Sequence, residues 1–346
     1  MKTEMMAAVL YGKEQLRIEP VAVPTIGAGD ILVRVKTALT CGTDVKVFLR
    51  GYHARMIVPP AVFGHELAGY IVEVWEHVTR FSVGQRVVAA NSAPCNRCFY
   101  CLKGSENLCE NLIFNNGAYA EYIRIPARIV EQNTYEIPSH VGYMDAALVE
   151  PLACVLRGVE ETGFTPGDSV AVIGLGPIGL MFVRLAKVHG ARVIALGRRH
   201  TQLERAGRMG ADELVEVHDP TDAVKAVKDL TSGRGVDAAV EAVGTPATWK
   251  LAVQLARRGG KVNFFGGCPS DSKISFDTSL LHYSEIACKA SFHHTPSHIR
   301  RALDLVSRGD ITARDFVKSE EPLQNLLEVM RYLTSHNGHL KTAIIP

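Results

Sequence analysis

The sequence predicts a chain of class α/β plus β: an all-β domain over residues 1–155, a doubly wound parallel sheet over 156–291, and a segment, 292–346, that returns to the first domain. Three observations lead there. At 346 residues the chain is longer than one hydrophobic core usually organises. Its texture changes near residue 155, from short β-branched runs punctuated by Gly, Pro and Asp to apolar strands that alternate with helical segments. A glycine-rich turn, G-x-G-x-x-G, then stands between an apolar strand and a helix.

Before the change, ILVRVKTALT (31–40), AGYIVEVW (68–75) and QRVVAAN (85–91) have the composition of strands. After it, GFTPGDS (163–169) is the loop that opens the parallel sheet, SVAVIG (169–174) its first strand and LMFVRLAKVHG (180–190) the helix that follows. RVIALG (192–197), DAAVEAVG (237–244) and KVNFFGG (261–267) supply further strands, while TQLERAGRMG (201–210) and TWKLAVQLARRGG (248–260) supply helices. Parallel strands need such crossovers, because a tight hairpin can only join antiparallel ones. Past IACKASF (286–292) the alternation ends in one helix, HIRRALDLVSRGD (298–310), and the strand-like KTAIIP (341–346) is expected to rejoin the first domain.

Composition excludes several function classes. A formal net charge of +2 with both signs well mixed leaves no basic footprint for nucleic acid. No apolar stretch approaches the roughly 20 residues that a membrane helix needs. The opening MKTEMMAAVLYGKEQLRIEP carries Glu4 early and no apolar run of signal-peptide length. The expectation is a cytoplasmic protein with a small-molecule partner and neither a nucleic acid nor a membrane to bind.

Four cysteines, Cys95, Cys98, Cys101 and Cys109, lie at spacing C-x2-C-x2-C-x7-C in PCNRCFYCLKGSENLC. Closely spaced thiolates on a tight turn converge on one ion, and a fourth from the end of the same loop closes a tetrahedral shell at about 2.3 Å per bond. A closed shell of this kind is structural. Two disulfides are the competing reading, but nothing else points to an oxidising compartment. An iron–sulfur cluster is a smaller competitor: its usual last gap is shorter and its last cysteine precedes Pro, whereas Cys109 precedes Glu110.

In SVAVIGLGPIGL, Gly174, Gly176 and Gly179 form the fingerprint of a dinucleotide turn, with Pro177 and Ile178 opening the helix between them. The first glycine permits the tight turn, the second lets backbone approach a pyrophosphate, and the third lets helix pack on strand. An ordinary glycine-rich turn is the alternative. The second strand bears on the cofactor: where an NAD site usually carries an acidic residue for the ribose hydroxyls, this chain has Gly197, Arg198 and Arg199. Without the carboxylate there is no repulsion against a 2′-phosphate, and a guanidinium can hold that phosphate through two bonds, so NADP is preferred over NAD.

Outside the cysteine loop, ligand-type side chains stand at Cys41 in ALTCGTDVKVF, at His65 and Glu66 in VFGHELAG, and at Glu150 in ALVEPLACV. Singly they mean little, since a lone buried Cys or His is more often packing. Together with the glycine turn and the cysteine loop, the ordered segments CGTD (41–44), GHE (64–66), 95–109, VEPLA (149–153) and GLGPIGL (174–180) span the chain. In these the chain resembles the zinc-dependent medium-chain alcohol and polyol dehydrogenases, with sorbitol dehydrogenase-like and threonine dehydrogenase-like features. The resemblance implies a GroES-like β catalytic domain with an inserted Rossmann domain, one catalytic and one structural zinc per chain, and assembly as a homodimer or homotetramer. It makes Cys41, His65 and Glu66 ligands of the catalytic zinc, and it gives Glu150 the place of a fourth ligand or of a carboxylate bridged to zinc through water. Glutamate there is at home in polyol enzymes, cysteine in alcohol dehydrogenases. Cys154, four residues on, is read as packing.

The implied chemistry is hydride transfer between the secondary alcohol of a polyol or sugar-derived substrate and NADP, with zinc as Lewis acid. Thr43 matches the hydroxyl residue that contacts the substrate oxygen and passes its proton on. Family members often place histidine where this chain has Lys46, and an ammonium is a poor proton acceptor. His53, His293 and His294 are given no catalytic role. A threonine-type amino-alcohol dehydrogenase is one alternative, for which CGTD is at home and VEPLA less so. A non-catalytic cofactor-binding protein on the same fold is another, weakened by the joint presence of Cys41, Thr43, His65, Glu66 and Glu150.

Overall fold

A computed structural model describes residues 2–53, 55–335 and 340–346. The chain divides into two compact units, Met1–Ala153 with His294–Pro346, and Cys154–His293.

In the first unit a seven-stranded sheet runs in the order Thr134–Glu136, Arg86–Ala89, Glu66–Val74, Ile31–Leu39, Lys341–Ile345 and Val317–Pro322, with Tyr122–Ile125 also paired to Ile31–Leu39. A second, three-stranded sheet is centred on Glu4–Gly12. Ile31, Ile71, Phe63, Tyr119, Ile125 and Ile129 are buried together in the main core of this unit. Pairing puts Leu39 opposite Glu66 on one side and opposite Ala343 on the other. That register brings the start of the C-terminal strand to the same level of the sheet as GHE, although the two are far apart in sequence.

The all-β expectation for this stretch needs one correction that matters for function: Gly42–Arg50 is an α-helix. Its cause is a capping box, in which the Cys41 Sγ accepts from the backbone N–H of Thr43 at 3.4 Å while the Asp44 carboxylate accepts from the backbone N–H of Cys41 at 3.2 Å. Val47 and Phe48 bury its inner face. A further helix, Val149–Thr162, carries Glu150 in its first turn.

The second unit is a six-stranded, all-parallel sheet in the order Glu213–Glu216, Arg192–Gly197, Ser169–Ile173, Val236–Glu241, Ala256–Phe264 and Ala287–Ala290. Numbered along the chain this is 3-2-1-4-5-6, the doubly wound arrangement. Val170, Ala171, Val172, Val193, Ile194 and Ala195 are all buried, as strands covered by helices on both faces must be. The helix expected over 248–260 is shorter than the sequence suggests. It spans Pro246–Leu255, and the backbone turns extended at Ala256 (φ −70°, ψ 138°), so that ARRGG opens the next strand. Arg257 is there drawn to Asp237 of the neighbouring strand, its Nε 2.6 Å from Oδ1.

Candidate active site

Two elements of the first unit converge on one point. Cys41 caps the helix Gly42–Arg50, and His65 and Glu66 stand where the strand Glu66–Val74 begins. One ligand atom from each of Cys41, His65 and Glu66 lies within 4.8 Å of the others. A zinc ion with bonds of about 2.0–2.3 Å needs donor separations of roughly 3.3–3.8 Å, so sulfur, imidazole nitrogen and carboxylate oxygen fit one ion after small adjustment. His65 is 4% exposed and Glu66 fully buried, while Cys41 is half-buried.

Two residues that sequence reasoning passed over build this centre. Asp44, 1% exposed, sets its Oδ1 3.0 Å from Nδ1 of His65. A bond there assigns Nδ1 as the donor and leaves Nε2 as the lone pair for a metal. Burial opposes charge on His65, but the Asp44 carboxylate and the Cys41 thiol beside it raise its pKa well above the usual histidine value. The second residue is Lys341, whose Nζ lies 2.7 Å from both carboxylate oxygens of Glu66 and 3.1 Å from the carbonyl of Thr40. Burial pushes the Glu66 carboxyl up and the Lys341 ammonium pulls it back; the same burial opposes charge on Lys341, while Glu66 raises its pKa. Each Glu66 oxygen keeps a second lone pair, so the ion pair leaves room for a metal. Asp44 was legible as the fourth residue of a capping box, three positions after Cys41. Lys341 left no local signal.

Glu150 is placed beside this group and does not join its three ligand atoms within the same radius. It is 7% exposed, and burial, partly offset by His65 and Lys341, raises its pKa to about 7. His294 Nε2 lies 3.7 Å from Glu150 Oε1 and 3.2 Å from Asn91 Oδ1, which puts a histidine set aside in the sequence against this carboxylate. Thr43 stands in the first turn of the capped helix, half-buried, and Lys46, one turn on, is exposed.

The four cysteines form a second cluster of the same unit, with all four sulfurs within 4.8 Å of one another. Cys98 Sγ is 3.5 Å from Cys101 Sγ and 3.9 Å from Cys109 Sγ. A disulfide requires about 2.05 Å, whereas sulfurs around a tetrahedral zinc sit about 3.8 Å apart, so the spacing is that of an ion's shell. Backbone N–H groups of Cys95 and Asn111 point at Cys109 Sγ from 3.2 and 3.3 Å, the usual way such a shell supports its thiolates. Backbone hydrogen bonds, first that of Arg97, pull the Cys95 thiol down to about 6, while burial pushes Cys101 up to about 12. Replacing Cys98 by Ser is expected to remove one zinc per chain and lower the thermal midpoint while leaving the rate of hydride transfer per folded molecule unchanged. Metal content, melting and single-turnover rate measured on the same preparation check this, and a stable variant with selectively lost hydride transfer would contradict it.

In the second unit, Gly174 follows the first strand of the sheet, Ser169–Ile173, and Gly176 is the N-cap of the helix Pro177–Val188. No side chain caps that helix, so its first-turn N–H groups stay open to an anion. At Gly179 a Cβ would lie 1.7 Å from the Gly174 carbonyl oxygen, and only glycine allows helix and turn to close so tightly. Pro177 and Ile178 are half-buried in the first helical turn. Gly197 ends the second strand, and Arg198 and Arg199 follow it, both exposed. The glycine turn and the uncapped helix end together fit the pyrophosphate of a dinucleotide.

Comparison with known proteins agrees with both halves. The family model described as the GroES-like domain of alcohol dehydrogenases matches residues 27–139, and that described as zinc-binding dehydrogenase matches 177–308. Sorbitol dehydrogenase of Bacillus subtilis (strain 168) is 31% identical over 99% of this chain and 97% of its own. L-threonine 3-dehydrogenase of Bacillus licheniformis is 37% identical over 73% of each chain. Among solved structures, a zinc-binding dehydrogenase from Sinorhizobium meliloti 1021 bound to NADP superposes with a TM-score of 0.91 at 32% identity, covering all of both chains. With a full-length relative above 30% identity and both halves matched in order, the chain belongs to the zinc-binding medium-chain dehydrogenase family.

Proposed function

We propose that this protein oxidises the secondary alcohol of a polyol or sugar-derived substrate, or reduces the matching ketone, using NADP in preference to NAD and one catalytic and one structural zinc per chain. The observation that carries the reading is the convergence of Cys41, His65 and Glu66 within the GroES-like unit, apart from the cysteine cluster. Zinc held by these residues supplies Lewis acidity, which lowers the pKa of an alcohol's hydroxyl. The chain's own residues do the rest. Asp44 fixes the His65 ring, Lys341 fixes the Glu66 carboxylate, and the Thr43 hydroxyl would accept the alcohol's proton while passing its own on to water. Gly174, Gly176 and Gly179 would hold the dinucleotide, whose nicotinamide would supply the hydride acceptor for the alcohol's oxidation. Glu150, raised by burial to about 7, would serve as a further holder of the zinc or as a hydrogen-bond acceptor beside it.

Polyols are favoured by Glu150 and by the full-length likeness to sorbitol dehydrogenase. The threonine reading keeps a place because of the higher identity to threonine 3-dehydrogenase over a shorter span. One panel separates them: initial rates with NADP and NAD against polyols, aldonates, threonine and simple secondary alcohols. Polyol or aldonate turnover supports the proposal, threonine turnover replaces it, and failure of every alcohol with both cofactors defeats it.

NADP preference rests on Arg198 and Arg199, exposed where the second strand ends, and on the absence of an acidic residue there; the Sinorhizobium relative binds NADP. Replacing both by Ala is expected to raise KM for NADP by about tenfold or more, the scale of one charge-assisted phosphate contact, with little change for NAD. Equal effects on the two cofactors would remove the argument. Assembly with a second copy is supported by the strand Ala287–Ala290, which pairs on one side only and exposes all four residues.

A further inference from the structure

Tyr119 is fully buried and lies 75 positions from Asp44 in sequence, yet its hydroxyl donates to Asp44 Oδ2 at 2.6 Å. We propose that Tyr119 is a positioning residue for the Cys41, His65 and Glu66 centre, holding Asp44 so that the His65 ring stays aimed and the metal is slow to escape; this rests on reading that centre as a zinc site.

The residue acts at two points. Its ring lies against the backbone that delivers His65. A Cβ on Gly64, which has φ +90°, would lie 2.5 Å from Tyr119 Cδ2, so the glycine of GHE is required by this ring. Backbone bonds from Tyr119 N–H to the Phe63 carbonyl (2.9 Å) and from Ala118 N–H to the Gly64 carbonyl (3.1 Å) keep the two segments together. Its hydroxyl settles the Asp44 carboxylate. Rotation about the bond to a carboxylate is broad and roughly two-fold, so the plane needs partners to fix it. Oδ2 receives Tyr119 and the Cys41 N–H, which leaves Oδ1 to His65 Nδ1 at 3.0 Å. Partners of this kind commonly govern metal retention. The competing account is that the hydroxyl only satisfies the core, where the Leu39 carbonyl is 3.1 Å away.

Tyr119→Phe keeps the ring and removes only the hydroxyl. The test loads the full chain with zinc, confirms two per chain, adds an excess of a chelating dye and follows release. The phase belonging to the cysteine cluster is identified by its absence in Cys98→Ser. In Tyr119→Phe the other phase is expected to run about tenfold faster, with the cysteine phase unchanged. Unchanged release of both zincs overturns the proposal. Equal acceleration of both also overturns it, because that is general loosening of the unit. A parent chain that binds a single zinc, held by the cysteines, overturns the reading of the centre beneath the proposal, and does so before Tyr119 is altered.

Discussion

Replacing Lys341 by Met is expected to destabilise the protein by about 3–5 kcal/mol, the scale on which removing one partner of a buried ion pair acts. Glu66 is fully buried and Lys341 4% exposed, so neither charge has water to fall back on. Without the ammonium the largest pull against burial is gone, the Glu66 carboxyl is pushed further up, and it becomes a poorer metal donor. Two readouts follow together: a lower midpoint in urea unfolding and loss of one zinc per chain. The double variant Lys341→Met with Glu66→Gln separates the causes, since a neutral pair carries no orphan charge. It should recover most of the stability and none of the metal. A single variant as stable as the parent, with both zincs in place, would mean that the 2.7 Å contacts do not hold the site.

Lys341 also marks where sequence reasoning stops. The cysteine loop, the glycine turn and GHE are legible because their function is written in local spacing: thiolates must be close to share an ion, and glycines must stand where backbone meets backbone. The parallel sheet is legible for a related reason, since buried strands and crossover helices differ in period along the chain. The partner of Glu66 has no such spacing. It lies 275 positions away and is delivered by the register of three strands, Glu66 opposite Leu39 and Leu39 opposite Ala343, which no local pattern encodes. Tyr119 is hidden in the same way. Asp44 is an intermediate case, since a capping box announces itself at a fixed offset, but the same carboxylate also reaching His65 is a tertiary fact. The helix Gly42–Arg50 was obscured by its own composition, because VKVF reads as strand until the cap at Cys41 is recognised.

Thr43→Ala is expected to cut kcat by about 10²–10⁴, the usual worth of a positioned proton-transfer group, while Thr43→Ser stays within a few-fold of the parent. The position argues for this: Thr43 is the second residue of a helix whose cap is Cys41, and its backbone N–H is already held by the Cys41 sulfur at 3.4 Å. The backbone is therefore fixed by Cys41, and neither Ser nor Ala disturbs it, so a difference between the two variants reports the hydroxyl alone. If the loss in Thr43→Ala is in proton transfer, KM for the dinucleotide and zinc content stay at parental values while kcat falls, and the deficit narrows as pH rises and hydroxide replaces the missing acceptor. A fully active alanine variant would remove Thr43 from the reaction; a fall in zinc content alongside kcat would make it a residue of the metal site and not of the relay.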